Sequence, residues 1–371
     1  MILSAKKDDG SMLILTLWVV ALLSLMAYSL MGRARLGVRQ EQWQRLEHES
    51  ATLVDSLAQL ALQRYQSDET EGVDGYTDPW LNIFTASSTE LLPGYPGAVL
   101  DGDAYDLRIE ASDEFGKINV NEASRALLAV IVAEAGVPDP EALASAIEDW
   151  RDADTVGAAE GDYYADLEAP YGAANKPLAR IEELLFVRGI RGGGEGFFYG
   201  EDANRNGILD PNEDDGDASW PPDNRDGILQ PGLIDLLTVF GNGTVNANSA
   251  SDPVLRAVLS ETELEEAEQD LVVKALLSDR RGPDGRDGQY DGATDDRPFE
   301  TWEAIVEATA KALGDESPER ARRVVRGLEV ESSAARFRVS VRFPDRGFSA
   351  GGELLVTRED GEYAVREWHD W

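Results

Sequence analysis

The sequence predicts an α+β fold, in which a long N-terminal helix leads into an antiparallel sheet interrupted by a large helical block. Three observations predict it. Residues 11–31, SMLILTLWVVALLSLMAYSLM, form an apolar run without a charge. Strand periodicity appears near residue 105 and returns only at Arg336. Roughly 200 residues of mostly helical pattern lie between, so the sheet is expected to close around an insertion.

The apolar run comes directly after the polar leader MILSAKKDDG. About 20 apolar residues at a rise of ~1.5 Å cross a bilayer core. A signal peptide fits less well, because its apolar core is usually about 7–15 residues and ends at small residues. Met31-Gly32-Arg33 is a poor cleavage site of that kind. Beyond the span, Trp43, Leu46, Leu53, Leu57, Leu60 and Tyr65 recur at helical spacing, with Glu41, Arg45, Glu47, Glu49 and Arg64 on the other face. No Pro interrupts residues 11–66. One helix over 11–66 is therefore expected, with its span at 11–31. Lys6 and Lys7 precede the span, and Arg33, Arg35 and Arg39 follow it, so charge alone does not orient it.

A loop rich in Asp, Gly and Pro follows the helix. Val99, Tyr105, Leu107 and Ile109 alternate around an Asp-Gly turn and predict a hairpin. The first sheet segment is read as 67–116 and the helical insertion as 117–329. Within the insertion, Asn121 is the expected N-cap of the first helix. Further helices are expected at 138–151, 177–189, 252–259, 261–278, 299–313 and 317–327, with loop at 189–232. Strands at 336–343, 353–358 and 362–368 complete the sheet in a closing segment, 330–371. The stretches GKINVNEASRALLAVI (116–131) and GTVNANSASDPVLRAVLS (243–260) echo each other, which predicts a duplication inside the insertion.

The chain has 371 residues and a net charge of −37. Such a surface repels nucleic acid and anionic lipid headgroups. Cys is absent, so thiol chemistry and disulfides are excluded, and the only histidines are His48 and His369.

The sharpest local motif is DANRNGILDPNE at 202–213. Asp202, Asn204, Asn206 and Asp210 put side-chain oxygens at positions 1, 3, 5 and 9 of a calcium loop. Gly207 stands where the loop turns sharply, the Ile208 carbonyl serves position 7, and Glu213 offers two oxygens at position 12. Calcium is the expected ion, in a loop without the flanking helices of an EF-hand. The cluster Asp214, Asp215, Asp217, Asp223, Asn224 and Asp226 lacks that register and reads either as a second ion site or as solvated loop. Asp284, Asp287, Asp291, Asp295 and Asp296 read as solvated loop.

Gly347-Phe348-Ser349-Ala350-Gly351 has the G-x-S-x-G spacing of a nucleophile elbow. It falls between two predicted strands rather than a strand and a helix, so a hairpin turn is expected. The INVN and VNAN segments are similar to helix-hairpin-helix DNA-binding modules, but the acidic chain argues for a structural role. Glu148, Asp152 and Asp154 near Trp150 are read as a capped, salt-bridged helix end rather than a catalytic pair.

Taken together, the leader ending in Gly10, the apolar helix, DEFGKINVNEASRALL, IEDWRDADTVGAAEGDYY, RIEELLFVRG and LIDLLTVFGNGTVNANSASDPVLRAVL resemble the minor pseudopilin K family of type II secretion systems. They span most of the chain in the family's order. The resemblance implies a pilin-like sheet domain and cleavage by prepilin peptidase after Gly10, leaving Ser11 as the mature N-terminus. It implies an inner-membrane protein with its N-terminus cytoplasmic and its soluble part periplasmic. Most pilin-like subunits carry Glu at the fifth mature position, where K-type subunits lack it; here that position is Leu15. The implied role is mechanical, at the tip of the pseudopilus during export of folded proteins. The implied partners are I- and J-type minor pseudopilins, prepilin peptidase and the inner-membrane secretion platform, with no nucleic acid. Two other classes stay open from sequence: a membrane-anchored periplasmic calcium-binding hydrolase and a DNA-uptake protein.

Overall fold

A computed structural model of the chain describes residues 9–68, 70, 72–82, 84–87, 105–190, 195–202, 209, 211–216, 218–219, 223–285, 296–314, 318–359 and 361–370. Two units divide the chain, Met1–Asp55 and Ser56–Trp371. Helix α1 runs over Asp9–Gln66, as the unbroken helical pattern predicts. In the first unit, the large apolar side chains from Leu13 to Met31 are exposed, among them Trp18 at 70% and Tyr28 at 80%. A helix of this length and composition can cross a bilayer, and side chains exposed on all faces suit a lipid or helix-packing environment.

In the second unit a five-stranded antiparallel sheet has the order β1 (Phe84–Ser87), β2 (Asp106–Asp113), β7 (Ala334–Phe343), β8 (Phe348–Glu359) and β9 (Glu362–Asp370). Strands β1 (Phe84–Ser87) and β2 (Asp106–Asp113) pair first. Val99, expected in the hairpin, lies outside the described residues. In β2, Leu107, Ile109 and Ala111 are buried on one face while Arg108 and Glu110 take the other, the period of 2 that a half-buried strand requires. Near its end, α1 supplies Leu57, Ala61 and Tyr65 to the apolar side of the sheet. The Tyr65 ring sits 4.9 Å from that of Trp80, 5.2 Å from Tyr363 and 5.8 Å from Phe337. Edge-on aromatic contacts of this kind add to the burial of the rings themselves.

The chain then leaves the sheet. Strand β3 (Ile118–Asn119) leads to α2 (Arg125–Glu134), α3 (Pro140–Arg151) and α4 (Gly161–Ala165). A 3-10 turn at Ile181–Phe186 stands where a full helix was expected. Next come α5 (Glu195–Tyr199), α6 (Leu233–Leu236), β4 (Leu237–Thr238) and β5 (Val245–Asn246). Helices α7 (Asp252–Ser260), α8 (Glu266–Arg280), α9 (Trp302–Leu313) and α10 (Pro318–Val324) precede β6 (Leu328–Glu329). These helices share one apolar core that includes Leu128, Ile131, Ile147, Leu236, Leu255, Val273 and Ile305. The chain returns through β7 (Ala334–Phe343), β8 (Phe348–Glu359) and β9 (Glu362–Asp370). Because β7 pairs directly with β2, the helices occupy a long excursion between two neighbouring strands.

The echo between 116–131 and 243–260 is a duplication in space. β3 pairs with β4 in parallel, and β5 pairs with β6 in parallel. Asn121 is not the N-cap: Ser124 caps α2, accepting from Leu127 N. Asn121 instead grips Leu178, its Oδ1 accepting from Leu178 N (2.8 Å) and its Nδ2 donating to Leu178 O (2.9 Å). Asn248 grips Phe299 the same way, at 2.7 and 3.1 Å. The preceding Asn of each pair, Asn119 or Asn246, accepts the N–H two residues on and closes a tight turn. The last-turn arginines correspond as well. Arg151 donates to the carbonyls of Val120 and Ala123, and Arg280 to those of Ala247 and Ala250.

Candidate functional site

Where the chain passes from sheet to helices, it buries a set of charged and polar groups. Glu114 is 1% exposed. Its carboxylate accepts from Lys117 Nζ (2.8 Å), Thr238 Oγ1 (2.6 Å) and Arg336 Nε (3.1 Å). Burial pushes the Glu114 carboxyl up, but Lys117 and Arg336 outweigh it and hold it at about 2. Arg336 also reaches Glu353 of β8, and these carboxylates raise its pKa against the opposing effect of burial. One residue earlier, Asp113 accepts from Phe115 N (2.8 Å), Asn246 Nδ2 (2.9 Å), Ser249 Oγ and Ser332 Oγ. These contacts join the end of β2, the second Asn turn and the entrance to β7. The junction is thus a closed polar network rather than a hinge of loose loops.

The polar face of the sheet carries a cross-strand charge ladder. Glu110, Arg338 and Glu353 stand opposite one another on β2, β7 and β8. Arg338 Nη1 lies 3.4 Å from Glu110 Oε2 and 3.6 Å from Asp202 Oδ2. With Arg108, Arg336, Asp235 and Gln230, these side chains line a cleft of about 660 Å³ between the sheet and the acidic loop.

That loop begins where α5 ends. Gly200 and Pro231 form an isolated bridge, and a Cβ on Gly200 would lie 2.3 Å from the Gln230 carbonyl, so only glycine fits there. The buried Glu201 carboxylate accepts from Asn224 N (3.2 Å) and Gln230 N (2.9 Å). Of the expected calcium ligands, Asp202 is half-buried beside Arg338, and Glu213 is 1% exposed. Asn204, Asn206, Ile208 and Asp210 lie outside the described residues. In the second acidic cluster, Asp223 accepts from Asp215 N and Gly216 N at 2.9 and 2.8 Å, and Asp214 accepts from Gly227 N at 3.2 Å. These two carboxylates tie the loop through its backbone amides. Asp217 of that cluster and Asp287, Asp291 and Asp295 of the third lie outside the described residues.

A separate acidic group, Asp152, Asp154 and Glu160, brings one oxygen from each residue within 4.8 Å of the others. The sequence reading saw Asp152 and Asp154 but missed Glu160. Glu160 is brought in by the loop that turns back after α3, and no local spacing signals that return. Glu148 pairs with Arg125 at 3.6 Å, as expected of a salt-bridged helix surface.

Ser349 of the G-x-S-x-G motif is exposed in β8 opposite Arg342, after a 3-10 turn at Pro344–Arg346. His369 pairs with Glu353, four residues further along β8, which places it ~13 Å away at ~3.3 Å per residue. The motif is a hairpin, with Gly347 at φ 58° in the left-handed region that favours glycine.

The first conclusion from this architecture is a class: a chain whose apolar N-terminal helix is long enough to cross a membrane and whose antiparallel sheet opens to admit a helical excursion. Residues 106–193 match the family described as type II secretion system (T2SS), protein K. The fold is similar to a chain in the crystal structure of the GspK-GspI-GspJ complex from the enterotoxigenic Escherichia coli type 2 secretion system. That likeness has a TM-score of 0.52 at 16% identity and covers 91% of this chain and 99% of that one. No curated protein sequence matches the chain.

Proposed function

We propose that this chain is a minor pseudopilin of the K type, seated at the tip of the type II secretion pseudopilus, where it assists export of folded proteins from the periplasm. One observation carries the reading: an apolar helix exposed on all faces from Leu13 to Met31 is joined to a protein K domain with a bulky helical excursion. The exposed helix suits storage in the membrane and packing among like helices during assembly. The excursion widens the soluble part, which suits a subunit that nothing stacks above. Leu15 supports the same position. A pilin-like subunit with Glu there can pair with its neighbour's N-terminal amine, and Leu15 cannot. A similar protein crystallised with GspI and GspJ, so I- and J-type pseudopilins are the proposed partners.

Processing by prepilin peptidase after Gly10 belongs to the same proposal, with the N-terminus cytoplasmic, the soluble part periplasmic and the secretion platform beneath. The role is mechanical rather than catalytic; the hairpin setting of Ser349 favours it over the hydrolase alternative, and the net charge of −37 favours it over DNA uptake. Calcium in the 202–213 loop is proposed as a structural ion. The donor set of carboxylate, amide and carbonyl oxygens suits a hard cation, and Glu213 is buried within an otherwise polar loop. The functional test is Gly10→Val in the native host. It should leave the leader attached and hold secreted enzymes in the periplasm, and normal secretion with an unprocessed chain contradicts the proposal.

A further inference from the structure

The group formed by Asp152, Asp154 and Glu160 lies outside the acidic loop discussed above. Clustered carboxylates alone define no site, but Glu160 is a different case from an exposed acid. It is 7% exposed, neither of its buried carboxylate oxygens makes a hydrogen bond of ordinary geometry, and the nearby Gly161 backbone N–H offsets only part of the burial. Among the described residues no Lys or Arg pairs with it. A buried carboxylate without a counter-charge and with so little hydrogen bonding is costly, so folded proteins seldom leave one in that state.

The surroundings hold the loop in place without neutralising it. Asp149 is itself buried, and its Oδ2 accepts from Ala159 N at 2.8 Å. Asp152 accepts from Asp154 N (3.1 Å) and Asp154 from Val156 N (2.7 Å), each through Oδ1. Asn175 Nδ2 donates to Asp154 O at 2.7 Å, and Arg188 Nη1 donates to Ala158 O at 2.7 Å. The other amide atom of Asn175, its buried Oδ1, also has no hydrogen-bond partner. Negative oxygens therefore converge in a fixed frame, with the Arg188 guanidinium engaged on the Ala158 carbonyl and that of Arg151 on the carbonyls of Val120 and Ala123.

We propose that Asp152, Asp154 and Glu160 form a site for a divalent cation that favours oxygen donors, with calcium as the ligand. Two oxygens bound to one calcium at about 2.4 Å can stand at most about 4.8 Å apart. The three carboxylates meet that limit as they stand. Calcium takes 6–8 oxygens, so water or nearby carbonyl groups complete the shell. The ion would clamp the end of α3 to the start of α4 and fix the intervening turn, which presents Val156 at 83% exposure.

The test uses the full-length chain in detergent, carrying Glu213→Gln so that the 202–213 loop contributes little. Calcium binding is measured by titration calorimetry, and melting is followed in calcium and in chelator. The Glu213→Gln chain should still bind calcium and melt several degrees higher with it. Adding Asp154→Asn should weaken that binding at least tenfold while leaving the melt in chelator unchanged, because Asp154 is exposed and Asn keeps the acceptor for Val156 N. Adding Glu160→Gln should raise the melt in chelator, by removing an uncompensated charge, and abolish most of the calcium response. The proposal is overturned if the Glu213→Gln chain has no calcium response, or if Asp154→Asn and Glu160→Gln leave that response unchanged.

Discussion

Asn121 and Asn248 perform the same operation in the two halves of the helical excursion. Each uses both ends of its side-chain amide to hold one later residue by N–H and C=O, Leu178 in the first half and Phe299 in the second. An Asp places no donor there and a Gln shifts the amide by one methylene, so each clamp depends on Asn. The Asn-x-Asn segments that resemble a DNA-binding module are therefore used internally.

Replacing either clamp by Ala should destabilise the fold. Asn248 is 1% exposed and Asn121 half-buried, so the losses should be unequal. Two buried hydrogen bonds and their stranded partners are worth about 3 kcal/mol for Asn248→Ala and about 2 kcal/mol for Asn121→Ala. Urea denaturation of the two variants checks the order. Equal losses below about 0.5 kcal/mol would show that the clamps contribute little.

Acid should loosen the junction between sheet and helices. The folded pKa of Glu114, about 2, lies below its ordinary value of 4.5. Between those values the unfolded chain binds more protons, so the stabilisation is complete above pH 4.5 and disappears as pH falls toward 2. The difference amounts to a few kcal/mol. Glu114→Gln should cost about 3–5 kcal/mol at pH 7, because Lys117 and Arg336 lose a buried partner, and should flatten the acid limb. Denaturation at pH 7, 4.5 and 3 measures both effects.

Ser349→Ala should leave secretion and stability unchanged, within about 0.5 kcal/mol for an exposed strand position. Loss of secretion by a folded Ser349→Ala chain would reopen the nucleophile reading.

Calcium in the 202–213 loop should raise the melting temperature, because the ion binds only the folded ligand set. At a hundredfold over its dissociation constant it adds about 2.7 kcal/mol. For a domain of this size that corresponds to several degrees. Glu213→Gln should remove much of the response, and magnesium should replace calcium poorly because it demands a tighter octahedron. An unchanged calcium response in Glu213→Gln would count against this site.

Much of the fold was legible in the sequence because periodicity reports on which faces are buried. The long helix through residues 11–66, the alternation in β2 and β7, and most helices of the excursion follow from that pattern. The duplication was legible because both halves repeat the same Asn-x-Asn chemistry. What remained hidden depends on long-range return of the chain. Asn121 looked like a cap from its neighbours, but Leu178, 57 residues later, claims its side chain. Glu160 carried no local signal, because only the loop after α3 turns it inward. The buried set at Glu114 gave no local signal either, since Arg336 arrives from 222 residues away.

The central claim is that this chain is a K-type subunit of a pseudopilus tip. It is tested most directly by co-expressing the full-length chain with the I- and J-type pseudopilins of its own host and purifying it through an affinity tag in detergent. The account predicts a single equimolar complex of the three proteins that survives gel filtration. Recovery of this chain alone, while the I- and J-type proteins purify together without it, would contradict the account.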